Sequence, residues 1–294
     1  MTKRIIGTYS SDKKGPLLFV TAAVHGNEPS GIKALEHIFK ILKSEKPTIN
    51  GTVVGIIGNT TAAQKKVRFI DEDLNRTWTK QTIATNTKVT NEQKEMFEII
   101  ETLQKFSESG FSERYFIDCH TTSSASLPYI SVQEIGNNLA WAQRFPIHII
   151  KGFSDIVKGT IDGYFSEKKL TGFAVEAGQH ESKDAATYHE GIIWTALQEA
   201  CDLNFEALSE IPKAVLKTKR STPSQKTFTI IYRHGLEDGD AFKMQPGYEN
   251  FQPIKKGDFL AIHNNKRIIS QWDGYIFMPL YQEQGNDGFF VVQE

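Results

Sequence analysis

Apolar and polar positions fall into blocks over the first two thirds of the chain, and the blocks predict alternating strands and helices. Residues 17–23 (LLFVTAA) form an apolar run that stops abruptly at His25-Gly26-Asn27-Glu28-Pro29. This reads as a buried strand feeding a tight loop. Ser30 stands where a helix cap belongs, and Ile32, Leu35, Phe39 and Leu42 recur at helical spacing. Residues 31–43 therefore predict an amphipathic helix, ended by Lys46-Pro47. Residues 52–58 (TVVGIIG) read as a second buried strand, and residues 3–8 as a short one ahead of both. A polar stretch, residues 59–88, has no period and is too long for a mere connection. Thr90 with Gln93 makes a capping box that opens a helix to about residue 106, with Phe97, Ile100 and Leu103 inward. Residues 114–118 (RYFID) and 173–175 (FAV) are further strands, ending at Cys119-His120 and at Glu176. Residues 137–145 predict a helix, residues 147–150 a strand and residues 189–203 a long helix.

The pattern then changes. Residues 209–226 are polar, carry Pro212 and Pro223, and read as a linker. Short β-rich runs follow at 227–232, 259–263, 267–271, 274–278 and 289–292, separated by Gly, Asp and Asn. Strands alternating with helices imply an α/β fold with a mainly parallel sheet flanked by helices, and the tail implies a small β-rich domain, a barrel or a sandwich. The expected boundaries are 1–212 for the α/β domain and 213–294 for the β domain.

Composition narrows the class. The chain has 294 residues, 39% apolar and 23% charged, with 34 Lys and Arg against 35 Asp and Glu. A net charge of -1 gives no electrostatic reason to expect nucleic acid or an anionic membrane as partner. No apolar run approaches the roughly 20 residues that span a bilayer. The opening MTKRIIGTYSSDKKG has no apolar core of secretory length. Cys119 and Cys201 lack metal-binding spacing and make no disulfide framework. A cytoplasmic enzyme fits; whether copies associate as a homo-oligomer is left open.

The chemistry gathers at predicted strand ends. In a parallel sheet these ends share an edge, where ligands bind. His25 and Glu28 follow one strand, His120 a second and Glu176 a third. Two imidazoles and a carboxylate are the ligand set of a His2Glu catalytic zinc site, with the fourth position left for water of pKa about 7. His25, Glu28 and His120 are the expected ligands of one zinc ion. Glu176 is the expected general base, passing a proton to the leaving amine. In the motif DLNR, Arg76 would stabilise an oxyanion and Asn75 would touch substrate or serve only in a turn; Asp73 reads as a turn-former. Arg68 would grip a substrate carboxylate. Asp118, two residues before His120, would orient that imidazole or face the other side of its strand. His37, His148, His189, His234 and His263 read as surface or structural residues, and His180, four after Glu176, as a weaker candidate.

HGNEPSG, RFIDEDLNR, DCHTTSS and VEAG, in that order, resemble the succinylglutamate desuccinylase/aspartoacylase family, which belongs with the zinc carboxypeptidases of the carboxypeptidase A type. The resemblance implies zinc at His25, Glu28 and His120, general base/acid work for Glu176, and substrate contacts from Asn75 and Arg76. It gives Arg68 the scissile carbonyl or the acyl group, so the two arginines exchange roles between the two readings. Aspartoacylases carry a Tyr and an Arg upstream of the general base to bind carboxylates. Here residues 162–167 (DGYFSE) have no arginine and offer only Tyr164; Tyr281 is a counterpart to a further family tyrosine. The resemblance thus stops short of N-acetylaspartate as substrate. The expected activity is hydrolysis of the linear amide of a small N-acylated amino acid-like compound. The alternatives are a metallocarboxypeptidase acting on peptides and a non-catalytic metal-binding protein of the same fold.

Overall fold

A computed structural model of the chain describes residues 3–222, 224–283 and 285–294. Its elements begin with β1 (Ile5–Ser10), β2 (Lys13–Ala22), α1 (Ser30–Glu45) and β3 (Asn50–Ile57). Short helices α2 (Thr60–Lys65) and α3 (Lys80–Thr85) precede α4 (Asn91–Gln104). Then come β4 (Arg114–Thr122), β5 (Tyr129–Ser131), α5 (Asn138–Ala142), β6 (His148–Lys151), α6 (Phe153–Ile156), α7 (Ile161–Glu167), β7 (Thr171–Gln179) and α8 (Ala185–Cys201). The remainder is α9 (Lys213–Ser221), β8 (Thr227–Gly235), β9 (Phe242–Met244), β10 (Gln252–Ile254), β11 (Phe259–His263), β12 (Lys266–Ile269), β13 (Gly274–Phe277) and β14 (Asp287–Gln293).

Eleven strands form one sheet in the order β1-β3-β2-β4-β7-β5-β6-β8-β14-β13-β10. The β3-β2-β4-β7 block is parallel, and β2 is its second strand. Its apolar run is unbroken because both faces are covered, as parallel strands require. Alternate residues divide between two cores. Leu18 and Val20 pack with Leu35 and Ile38 of α1 and Ile192 of α8. Leu17 and Phe19 pack with Met96 and Ile99 of α4 and Phe165 of α7. None of the helices is long and apolar enough to cross a membrane, among the described residues.

Three expectations change. The polar residues 59–88 are not featureless: Asn59 Oδ1 accepts from Ala62 N at 3.0 Å and starts α2. The buried Glu92 carboxylate, in the first turn of α4, then accepts from the backbone N–H groups of Ile70, Asp71 and Glu72 (2.8, 3.0 and 3.3 Å) and from Asn59 Nδ2 (2.9 Å). One side chain thereby supplies the partners that this loop's backbone lacks. Helix α1 starts at Ser30 itself, with Pro29 in the cap position and no side-chain cap. The expected linker holds α9, which lays Ala214 and Thr218 inward, beside α8; Pro223 lies outside the described residues.

The tail also departs from a separate barrel or sandwich. Strand β8 pairs in parallel with β6, and β14, β13 and β10 follow it antiparallel, so four tail strands extend the main sheet. An unpaired β6 edge would leave a row of backbone groups unsatisfied, and β8 covers it. Among the described residues, only β12, β11 and β9 form a sheet of their own.

Candidate metal centre and active site

Strand β2 ends at Ala22, Ala23 then turns the chain at φ 54°, and the loop that follows carries His25 and Glu28. Glu28 N–H closes the turn onto the His25 carbonyl at 3.1 Å. Gly26 is required here, since a Cβ would lie 2.1 Å from the Ala62 carbonyl carbon, and its N–H donates to Arg68 O at 3.1 Å. Strand β4 runs on through Thr122, so His120 and Asp118 share one face of it.

His25, Glu28 and His120 are all buried and come together, each offering a donor atom within 4.8 Å of the others. His25 Nδ1 lies 2.8 Å from Glu28 Oε1, and His120 Nδ1 lies 3.3 Å from Glu28 Oε2. The outer nitrogen of each ring is held. Asp118 Oδ2 meets His120 Nε2 at 2.7 Å, and Asp73 Oδ1 meets His25 Nε2 at 3.2 Å. Carboxylate partners of this kind fix the tautomer and aim the other nitrogen at a metal. Asp118 thus faces the site, and Asp73 does more than form a turn. Thr121 N–H donates to Glu28 Oε2 at 2.9 Å, and the buried His189 donates from Nε2 to the His120 carbonyl at 3.0 Å. Two nitrogens and a carboxylate, oriented from behind and buried together, fit a zinc-type ion by their chemistry.

Electrostatics agree with a cation-seeking centre. Burial pushes the Glu28 carboxyl up, but His25 and His120 outweigh it and hold the group well below the usual range. Burial lowers His120, and Asp118 and Glu28 together reverse this and raise it.

Glu176 sits opposite His120 in the β4–β7 pairing and opposite Tyr129 in the β5–β7 pairing. Its Oε2 is enclosed and has no hydrogen-bond partner. Lost hydration raises its carboxyl to about 7, against the pull of His120. The cavity around these groups is also lined by Arg68, Asn75, Arg76 and His180. Arg68 Nη2 donates to Asp73 Oδ2 at 3.0 Å, and its Nη1 lies 3.8 Å from Glu28 Oε1. Arg76 Nη2 donates to Asp287 Oδ2 at 3.1 Å. Asn75 Oδ1 accepts from Ile161 N at 2.9 Å, tying this loop to the start of α7. His180 Nε2 meets Gln282 Oε1 at 3.2 Å, and its Nδ1 meets Thr121 Oγ1 at 2.8 Å.

Tyr164 is not brought to the cavity. Its ring packs on Trp78 with centroids 5.0 Å apart. Tyr281 lines a neighbouring depression, where its hydroxyl donates to Gln245 O at 2.8 Å and accepts from Tyr248 N at 2.9 Å. Cys119 is a small buried residue whose thiol burial pushes well up. Sequence reasoning missed Asp287, Tyr129, Gln133 and the Asp162 carboxylate, all on the cavity wall. The alternation of Tyr129, Ser131 and Gln133 was the available signal for two of them; nothing local marks Asp287.

The succinylglutamate desuccinylase/aspartoacylase catalytic domain matches residues 14–192, more than half of the chain. The chain is 23% identical over 267 residues to a succinylglutamate desuccinylase of Shewanella frigidimarina, covering 87% of this chain and 75% of that one. It is 24% identical over 290 residues to a probable aspartoacylase of Acaryochloris marina, covering 90% and 92%. In fold it is similar to the product-bound ectoine utilization protein of Ruegeria pomeroyi, with TM-score 0.70, 16% identity and coverage of 98% and 88%. Murine aminoacylase 3 is similar too, with TM-score 0.62, 16% identity and 96% of both chains covered. The chain belongs to the succinylglutamate desuccinylase/aspartoacylase family.

Proposed function

We propose that this protein is a zinc-dependent hydrolase of the linear amide of a small N-acylated amino acid-like compound. The observation that carries the reading is one cavity holding the buried His25–Glu28–His120 donor set and the unpartnered Glu176 carboxylate. A bound zinc ion would supply Lewis acidity and bring water to a pKa near 7. Glu176, poised by burial, takes a proton from the attacking water and delivers it to the leaving amine. Arg68 is close enough to Glu28 to stand beside the reacting carbonyl, so it takes the developing negative charge on oxygen. Arg76 and the amide N–H groups of Asn75 also line the cavity and hold the remainder of the substrate. Asp118 and Asp73 keep both imidazoles aimed. Tyr164 has no part in this reading. Residues 1–212 supply the catalytic groups, and residues 213–294 close the cavity's other side through Leu280, Gln282 and Asp287.

Amine release from N-acylated amino acids, and from a peptide carrying the same acyl group, tests the reading with and without chelator. Chelator-sensitive turnover of a small N-acyl compound is expected; turnover of the peptide alone would move the protein to the carboxypeptidases. Glu176→Ala should keep one zinc per chain and lose turnover by about 10²- to 10⁴-fold, whereas His120→Ala should lose the metal. Full activity in Glu176→Ala would sink the mechanism.

A further inference from the structure

Resting on that reading, we propose that the cavity selects N-acylated compounds whose amine portion ends in an ammonium group, and that Asp162 is the residue that receives it. The cavity extends well past the metal ligands. Tyr129, Ser131 and Gln133 alternate along β5 and its continuation, and all three line the wall. Tyr129 stands opposite Glu176, so four residues of extended chain carry the wall roughly 13 Å away from the base. At that far end Gln133 Nε2 donates to Asp162 Oδ2 at 2.9 Å, and Gly163 N donates to Oδ1 at 2.9 Å. Asp162 is 4% exposed. No Lys or Arg forms an ion pair with it among the described residues. A carboxylate offers about four acceptor sites, so acceptor capacity remains. Burial, with the Asp118 carboxylate adding to it, pushes this carboxyl above its usual range, and an opposite charge beside it would bring it back down.

The charges on the rest of the wall point the same way. The two guanidiniums of the cavity both meet carboxylates, Arg68 at Asp73 and Arg76 at Asp287, and Asp287 also takes Arg233 from outside the lining. Five carboxylates (Glu28, Asp73, Asp162, Glu176 and Asp287) line it against those two guanidiniums. What is uncompensated is local, at Asp162. A carboxylate on the far end of a substrate would arrive beside that like charge, whereas an ammonium group brings the opposite charge and three donors. Phe153, Val157 and Phe290 flank the path and suit a methylene stem.

The test uses zinc-loaded full-length protein and three substrates of one chain length: Nα-acetylornithine, Nα-acetylglutamine and Nα-acetylglutamate. The ornithine compound should exceed the glutamate compound in kcat/KM by about ten- to a hundredfold, the range of a charge-assisted hydrogen bond, with glutamine between them. Asp162→Asn should lower kcat/KM for the ornithine compound, through KM, about tenfold more than for the glutamine compound. Equal losses on all three substrates would mark Asp162 as a fold residue and overturn the proposal, as would a preference for glutamate in the wild type. Calorimetric titration of the wild type with free ornithine and free glutamate needs no turnover and no variant. Tighter ornithine supports the proposal and equal or tighter glutamate overturns it, even if no acetyl compound is hydrolysed and the hydrolase reading alone fails.

Discussion

In the block β3-β2-β4-β7 every strand points the same way and is covered on both faces, whereas in the block β8-β14-β13-β10 successive neighbours reverse. Parallel strands bring all their carboxyl ends to one edge. His25 after β2, His120 near the end of β4 and Glu176 in β7 meet there although they are far apart in sequence. Reversing strands scatter their ends over two edges, and the antiparallel block reaches the cavity mainly through residues 278–290. Its contribution differs in kind. Asp287 answers Arg76, and Gln282 holds His180. One block gathers the His25–Glu28–His120 donor set and Glu176 by topology, and the other supplies the wall and the counter-charges.

That contrast can be broken in three ways, from the largest effect down. Glu176, raised to about 7 by burial, could serve the proposed base role only when ionised, and that form is lost as pH falls through that value. kcat/KM should therefore drop about tenfold per pH unit on the acid side. A bound divalent ion favours the carboxylate and moves this limb to lower pH. A rate constant flat to about pH 4 would take the base role away from the parallel block. Next, Asp118→Ala should weaken metal affinity by about ten- to a hundredfold in a chelator-competition titration. Unchanged affinity would mean that the strand alone orients His120. Smallest, Tyr281→Phe removes two hydrogen bonds at a residue 42% exposed in the antiparallel block. It should cost about 1 kcal/mol in urea unfolding and leave the metal content intact. Metal loss in that variant would erase the distinction between the blocks.

What could be read from sequence follows the same division. Strand β2 and helices α1 and α4 are legible because burial imposes a period, and the Thr90–Gln93 capping box forms as written. The clustering of His25, Glu28 and His120 is legible because H-x-x-E and DCH each carry chemistry within a few residues. Asp73 at His25 was hidden, because its partner lies 48 residues away and DLN alone reads as a turn. Asp287 was hidden for the same reason, 211 residues from Arg76. Strand β5 is only three residues long, too short for alternation to stand out, so the Tyr129–Gln133 wall escaped notice. The joining of β8 to β6 is a pairing choice made in space, and no residue of residues 227–232 announces it.

The Glu92 carboxylate has a consequence for the growing chain. Synthesis delivers His25 and Glu28 early, then the loop bearing Arg68, Asp73 and Arg76. That loop's residues 70–72 take their backbone partner from a side chain that has not yet been made. Until α4 emerges and docks, the arginines have no fixed place, and His120 arrives later still. His25 and Glu28 therefore exist on the ribosome as an unclosed pair, and the candidate centre becomes whole only when a helix from downstream reaches back over the loop before it.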